Sequence, residues 1–239
     1  MLPRRAIAGL AVLCLATPAA AQEQEVARYT VSVRGITAGK IALAAKHDAG
    51  GYSVTSNSVS AGLAGLFRSF TLTTRVQGSE RNGRLTPQRY SAEAKGAREG
   101  RGADLAFDGG MATVLRADPP EPDAPLVDPA QHKGVVDPLT GMYSVLRDTT
   151  ADAACQLDLK MFDGHRVNRI TLSSPKADAD GLTCQGLYRR IDGYPAKELA
   201  KRPVSTFAVT YRPAEGGVLR VTEVTVDSEY GTARVIRDN

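Results

Sequence analysis

Apolar and polar residues alternate one by one through most of this chain. A period of two suits one kind of regular structure, the extended half-buried strand. Tyr29, Val31 and Val33 share a face, with Arg28, Thr30, Ser32 and Arg34 on the other. Ile41 and Leu43 alternate with Lys40 and Ala42, and Tyr52 and Val54 with Ser53 and Thr55. Phe70, Leu72, Thr74 and Val76 repeat the pattern, as do Leu157, Leu159 and Met161, then Phe207, Val209 and Tyr211. Between these runs lie Asn82-Gly83, Asp108-Gly109, Asp163-Gly164, Asp180-Gly181, Asp192-Gly193 and Gly216-Gly217, pairs that tolerate the positive φ of tight hairpin turns. The expected fold is all-β and mainly antiparallel: a meander forming a curved sheet, an open barrel or a β-spiral.

One segment breaks the period clearly. From Asp137 to Asp148, Leu139, Met142, Tyr143 and Leu146 fall at i, i+3, i+4 and i+7, the spacing of an amphipathic helix. Asp137 suits the cap and Pro138 the first helical position. In an all-β body such a stripe is buried in or over the concave face of the sheet. A second segment, Ala61 to Phe67, is compatible with one or two helical turns despite its two glycines.

Residues 117 to 133 carry five prolines and no alternation, so they read as a long loop. A two-domain boundary would fall there. Neither half alone supplies a closed set of strands, so residues 22 to 239 are expected to form one β-rich domain.

The N-terminus sets the compartment. Arg4 and Arg5 precede an apolar run from Ala6 to Thr17, and Pro18-Ala19-Ala20-Ala21 offers a small-residue cleavage site before Gln22. That order describes a secretory signal peptide over residues 1 to 21 and a periplasmic product. The apolar run is shorter than the ~20 residues a membrane-spanning helix needs, and no second such run follows. Cys14 lies inside it behind Leu13, a poor context for lipid attachment, and leaves with the signal. Without Arg4 and Arg5 the mature chain carries 28 basic and 26 acidic residues. That near balance and the lack of a long Lys/Arg block argue against nucleic-acid binding.

Cys155 and Cys184 remain. In an exported chain two thiols are most simply read as one disulfide, worth ~3–4 kcal/mol on the chain-entropy model. A redox or metal site with His165 is the alternative, but the spacing matches neither well.

Recognisable chemistry is sparse. There is no G-x-S-x-G elbow, H-E-x-x-H pair, phosphate-binding loop or dinucleotide fingerprint. Gly96 to Gly102 is glycine-rich but lies between strand-like runs, as a hairpin tip does. His47, His132 and His165 sit beside turns and read as surface residues. Ser144, Asp158 and Asp163 have no activating partner nearby in sequence. Tyr188, Tyr194 and Tyr211 read as core. No catalytic residue, cofactor or metal ligand is singled out.

The run Asp137-Pro138-Leu139-Thr140-Gly141-Met142-Tyr143-Ser144-Val145-Leu146-Arg147 resembles the "DPLT…Y…LR" helix of the proteobacterial family known as domain of unknown function 3108. Tyr29…Gly35…Gly39, Phe162-Asp163-Gly164-His165-Arg166 and Cys184-Gln185-Gly186 with Tyr188 fit the same pattern. The resemblance implies an exported, β-rich envelope protein with no assigned reaction. By analogy it looks like the curved sheets of lipoprotein carriers and envelope-integrity spiral proteins.

These readings lead to three expectations. The first is a non-enzymatic periplasmic scaffold that binds an envelope partner or an apolar ligand beside Leu139, Met142, Tyr143 and Leu146. The second is a lipid or lipoprotein carrier of half-barrel type, with Ala61 to Phe67 as a lid. The third is a hydrolase, which would require a histidine converging with a carboxylate or hydroxyl in a pocket.

Overall fold

A computed structural model describes residues 23–48, 50–61, 69–96, 100–118, 123–228 and 231–238. The expected signal peptide, most of the Ala61–Phe67 segment and parts of the glycine-rich tip and the proline-rich loop lie outside these residues.

The alternating runs become strands of one sheet. The first half of the chain is a meander: β1 (Glu23–Val33), β2 (Ile36–Asp48), β3 (Gly51–Ser60), β4 (Phe70–Arg81), β5 (Arg84–Gly96), β6 (Gly102–Asp108) and β7 (Met111–Ala117). The chain then crosses the molecule to the two-residue β8 (Val135–Val136) and the helix α1 (Pro138–Leu146). A second meander follows: β9 (Leu157–Phe162), β10 (Val167–Asp178), β11 (Gly181–Asp192), β12 (Val204–Pro213), β13 (Leu219–Ser228) and β14 (Gly231–Arg237). A short helix, α2 (Ala196–Lys201), interrupts the connection from β11 to β12.

The strand order is β7-β6-β5-β4-β3-β2-β1-β14-β13-β12-β11-β10-β9-β8. The first and last strands therefore meet in the middle of the sheet, Tyr29 opposite Arg237 and Val33 opposite Ala233. All neighbours are antiparallel except β8 and β9, which are separated by α1. A parallel pair needs a crossover connection, and this crossover carries the helix to the inner face. At the seam, Gly134 N–H donates to Gly110 O at 2.9 Å. The sheet is a nearly closed, barrel-like ring.

A ring of this many strands encloses more space than its own side chains fill. α1 occupies part of it, against β3, β4, β5 and β9. Asp137 caps the helix, accepting from Thr140 N at 2.9 Å. Gly141 permits the close approach to β9, because a Cβ there would lie 2.2 Å from Met161 Sδ. On β11, Gly186 leaves room for the Phe207 ring of β12, 2.2 Å from where a Cβ would sit.

The inward residues of each run form the core, among them Tyr29, Leu43, Val54, Val76, Leu105, Val167, Val209 and Tyr211. Leu139, Thr140, Gly141, Tyr143, Val145 and Leu146 of α1 are all buried. The stripe expected on one side of the helix is thus a helix buried nearly all round, because strands surround it. Tyr188 and Tyr194 meet through their hydroxyls at 3.5 Å. Tyr211 lies at the other end of the β11–β12 pair, opposite Leu182, so the three tyrosines do not form one cluster.

Cys155 and Cys184 are bonded, with Cα atoms 5.2 Å apart. Both are buried, and the bridge ties the turn after α1 to β11.

Candidate functional site

The helix divides the lumen into two kinds of space. Along its length, towards the second meander, lies an apolar cavity of about 480 Å³. Met142, Val145 and Leu146 form its helical wall. Opposite them stand Ile170, Phe207, Val224, Val226 and Val235, the inward side chains of β10, β12, β13 and β14. Met142, Ile170, Val224, Val226 and Val235 stay only partly buried although they pack against the core. Asp163, Asn168 and Ser205 add polar groups to this lining, whereas the exposed Thr206 hydroxyl donates to Asp227. Asn168 is itself held by Tyr194, whose hydroxyl donates to its Oδ1 at 2.5 Å.

Of the four helix residues expected beside a ligand, the structure places Met142 and Leu146 on this cavity. Leu139 is buried in the core, and Tyr143 turns its hydroxyl to the other side of the helix. Val145 and the strand residues were not singled out from sequence.

The second space, also about 480 Å³, is polar and lies at the C-terminal end of α1. His47 Nδ1 is 2.7 Å from Glu80 Oε2, and His47 Nε2 is 2.8 Å from Tyr143 Oη. Tyr143 Oη is 3.1 Å from Glu25 Oε2. Arg147 donates to Glu80 Oε1 at 2.7 Å and to the Gly83 carbonyl. Arg220 grips Asp148 through Nε at 3.0 Å and Nη2 at 2.6 Å. Arg237 lies over the Tyr29 ring, with Glu25 Oε1 and Asp148 Oδ1 each 3.7 Å from its guanidinium.

Burial, then the neighbouring Asp148 carboxylate, pushes the Glu25 carboxyl above the usual range against the opposing pull of the Tyr143 hydrogen bond and of Arg237 and Arg220. At Glu80 burial also acts upwards, but Arg147 and His47 outweigh it and hold the carboxyl low. Burial drives the Tyr143 hydroxyl well above its ordinary value, so it stays protonated.

His47 is therefore not a surface residue. It converges with a carboxylate and a hydroxyl, the geometry the hydrolase expectation required. His132 pairs with Asp192 at 2.9 Å, and His165 Nε2 lies 3.8 Å from Asp118. Among the described residues no cluster of His, Cys, Asp and Glu is placed to hold a metal ion, and no helix is long and apolar enough to cross a membrane.

One signal of the polar site is present in the sequence. Extending the inward parity of β1, β2 and β14 to their ends gives Glu25, His47 and Arg237, after Ala27, Ala45 and Val235. These strand ends lie together because β1 is antiparallel to both neighbours.

A family model described as "Protein of unknown function (DUF3108)" matches residues 28–180. The chain belongs to that family. The match spans the first meander, the crossover with α1 and the hairpin of β9 and β10. Among solved structures, the chain resembles a β-barrel-like protein of domain of unknown function DUF1849 from Brucella abortus. The two share 14% identity at a TM-score of 0.52, over 91% of this chain and 96% of that one. At that identity the likeness establishes the barrel-like fold alone. No curated protein matches the chain.

Proposed function

We propose that this family member is an exported, non-enzymatic envelope protein that holds a single-chain apolar molecule in the half of its lumen left open by α1. The observation that carries the reading is the apolar cavity of about 480 Å³ between Met142, Val145 and Leu146 and the inward faces of β10 to β14. Its size lies within the range of small-molecule sites, and its lining of apolar side chains with few polar groups is the composition such sites have. Ordinary cores of this size are closed by packing, yet these valines and Met142 keep accessible surface. Asn168 and Ser205 provide hydrogen-bonding partners for the polar head of an acyl chain. The signal-peptide pattern of residues 1 to 21 supports export, and delivery of a lipid or lipoprotein acyl chain is the carrier form of the same proposal.

The test is titration with a dansyl-labelled fatty acid, read by the blue shift of its emission on entering an apolar site. The native protein is expected to bind at micromolar concentration. Val226→Trp places a large ring into the cavity and is expected to weaken binding at least about tenfold, roughly 1.4 kcal/mol, without loss of the β-sheet circular-dichroism signal. Absence of binding by the native protein, or equal binding by a folded Val226→Trp, contradicts the reading.

A further inference from the structure

The polar cavity contains an unbroken line of hydrogen bonds drawn from four elements: Glu80 on β4, His47 on β2, Tyr143 on α1 and Glu25 on β1. Its three links can be satisfied together by three protons in only a few ways. If His47 is protonated, both ring N–H groups donate, to Glu80 and to Tyr143, and Tyr143 donates to ionised Glu25. If His47 is neutral with its proton on Nδ1, Nε2 accepts from Tyr143, and a protonated Glu25 donates to the Tyr143 oxygen. One arrangement becomes the other when Glu25 gives its proton to Tyr143 and Tyr143 gives its own to His47 Nε2. No proton is gained or lost. A third arrangement would protonate Glu80, but Arg147, 2.7 Å from its other oxygen, keeps that end ionised.

At the Glu25 end the opposite holds. Glu25 Oε1 is buried without a hydrogen-bond donor, and the nearest cation, Arg237, stands off at 3.7 Å. Asp148 adds a second negative charge, while Arg220 is already engaged with Asp148. An ionised Glu25 is thus poorly compensated, and desolvation favours a proton there.

We propose that Glu25, Tyr143 and His47 form a proton-binding site, in which one proton is shared between Glu25 and His47 through the Tyr143 hydroxyl and Glu80 is the fixed counter-anion. Tyr143 has a single proton to donate. Removing a proton from the line leaves that hydroxyl two acceptors for its one proton, so a link between α1 and the strands is lost; adding one lets the oxygen accept from both sides but leaves its own proton without an acceptor. The site therefore makes the anchoring of α1 depend on pH, whatever occupies the apolar cavity. Glu25, His47 and Glu80 on the strands, Arg147 and Asp148 directly after α1, and Arg220 and Arg237 on β13 and β14 are the charged or titratable groups facing it.

The test is NMR of the native protein with ¹⁵N-labelled histidine and ¹³C-labelled glutamate, followed against pH, together with Tyr143→Phe, which keeps the ring. In the native protein, His47 Nε2 and the Glu25 carboxyl carbon are expected to shift through the same transitions, and neutral His47 to carry its proton on Nδ1. In Tyr143→Phe each is expected to titrate in a separate single step. Unchanged titration curves in that variant overturn the proposal. If Tyr143→Phe does not fold, the native tautomer decides alone, and neutral His47 protonated on Nε2 overturns it.

Discussion

Asp137 shows how one residue serves structure and titration together. It is 0% exposed, caps α1, and accepts from Thr140 Oγ1 at 2.5 Å, while that hydroxyl lies 2.7 Å from Tyr52 Oη. Burial raises its carboxyl from 3.8 to about 6, against the downward pull of its hydrogen bonds. The folded state therefore retains a proton that the unfolded chain releases. The resulting stabilisation is complete below the unfolded value and is lost as pH rises through the folded one. Asp137→Asn keeps a capping oxygen and cannot ionise. Across that window its stability is expected to improve relative to the native protein by on the order of 3 kcal/mol, read by urea denaturation. A pH-independent difference would contradict the assignment. Asp137 and Pro138 were legible as a helix start because their signal is local. His47 was not, because its partners Glu80 and Tyr143 lie 33 and 96 positions away. Alternation marks the face a residue occupies but not which neighbours share it.

Among the elements, the crossover explains the most. β8, α1 and the turn to Cys155 form one excursion from the seam, and the disulfide fixes its far end to β11. On the chain-entropy model Cys184→Ser is expected to cost about 3–4 kcal/mol, with the β-sheet signal retained. A melting temperature equal to that of the native protein would contradict this, as would free thiols in freshly isolated native material. The helix was readable in its period and cap, but its burial on nearly every side was not. A stripe of apolar residues measures one wall, whereas Thr140 and Gly141 are buried on others only because a barrel encloses them. α2 left no trace in the sequence pattern, since none of its residues is buried and no apolar stripe exists to be seen.

At the scale of the whole molecule, alternation established an antiparallel meander but left curved sheet, open barrel and spiral undecided. That choice depends on pairings between residues far apart, above all β1 with β14 and Gly134 with Gly110 at the seam. Closure also creates the cavity on which the proposed function rests. A ring wide enough to admit a helix is wider than one helix fills, and the remainder is lined by the same inward valines that made the strands recognisable. The most direct measurement is native mass spectrometry of the protein purified without denaturant from the cells that make it. The account predicts a single apolar molecule bound per chain, released by organic solvent and absent from Val226→Trp. Protein that is bare in every preparation, at full yield and correctly folded, would contradict it.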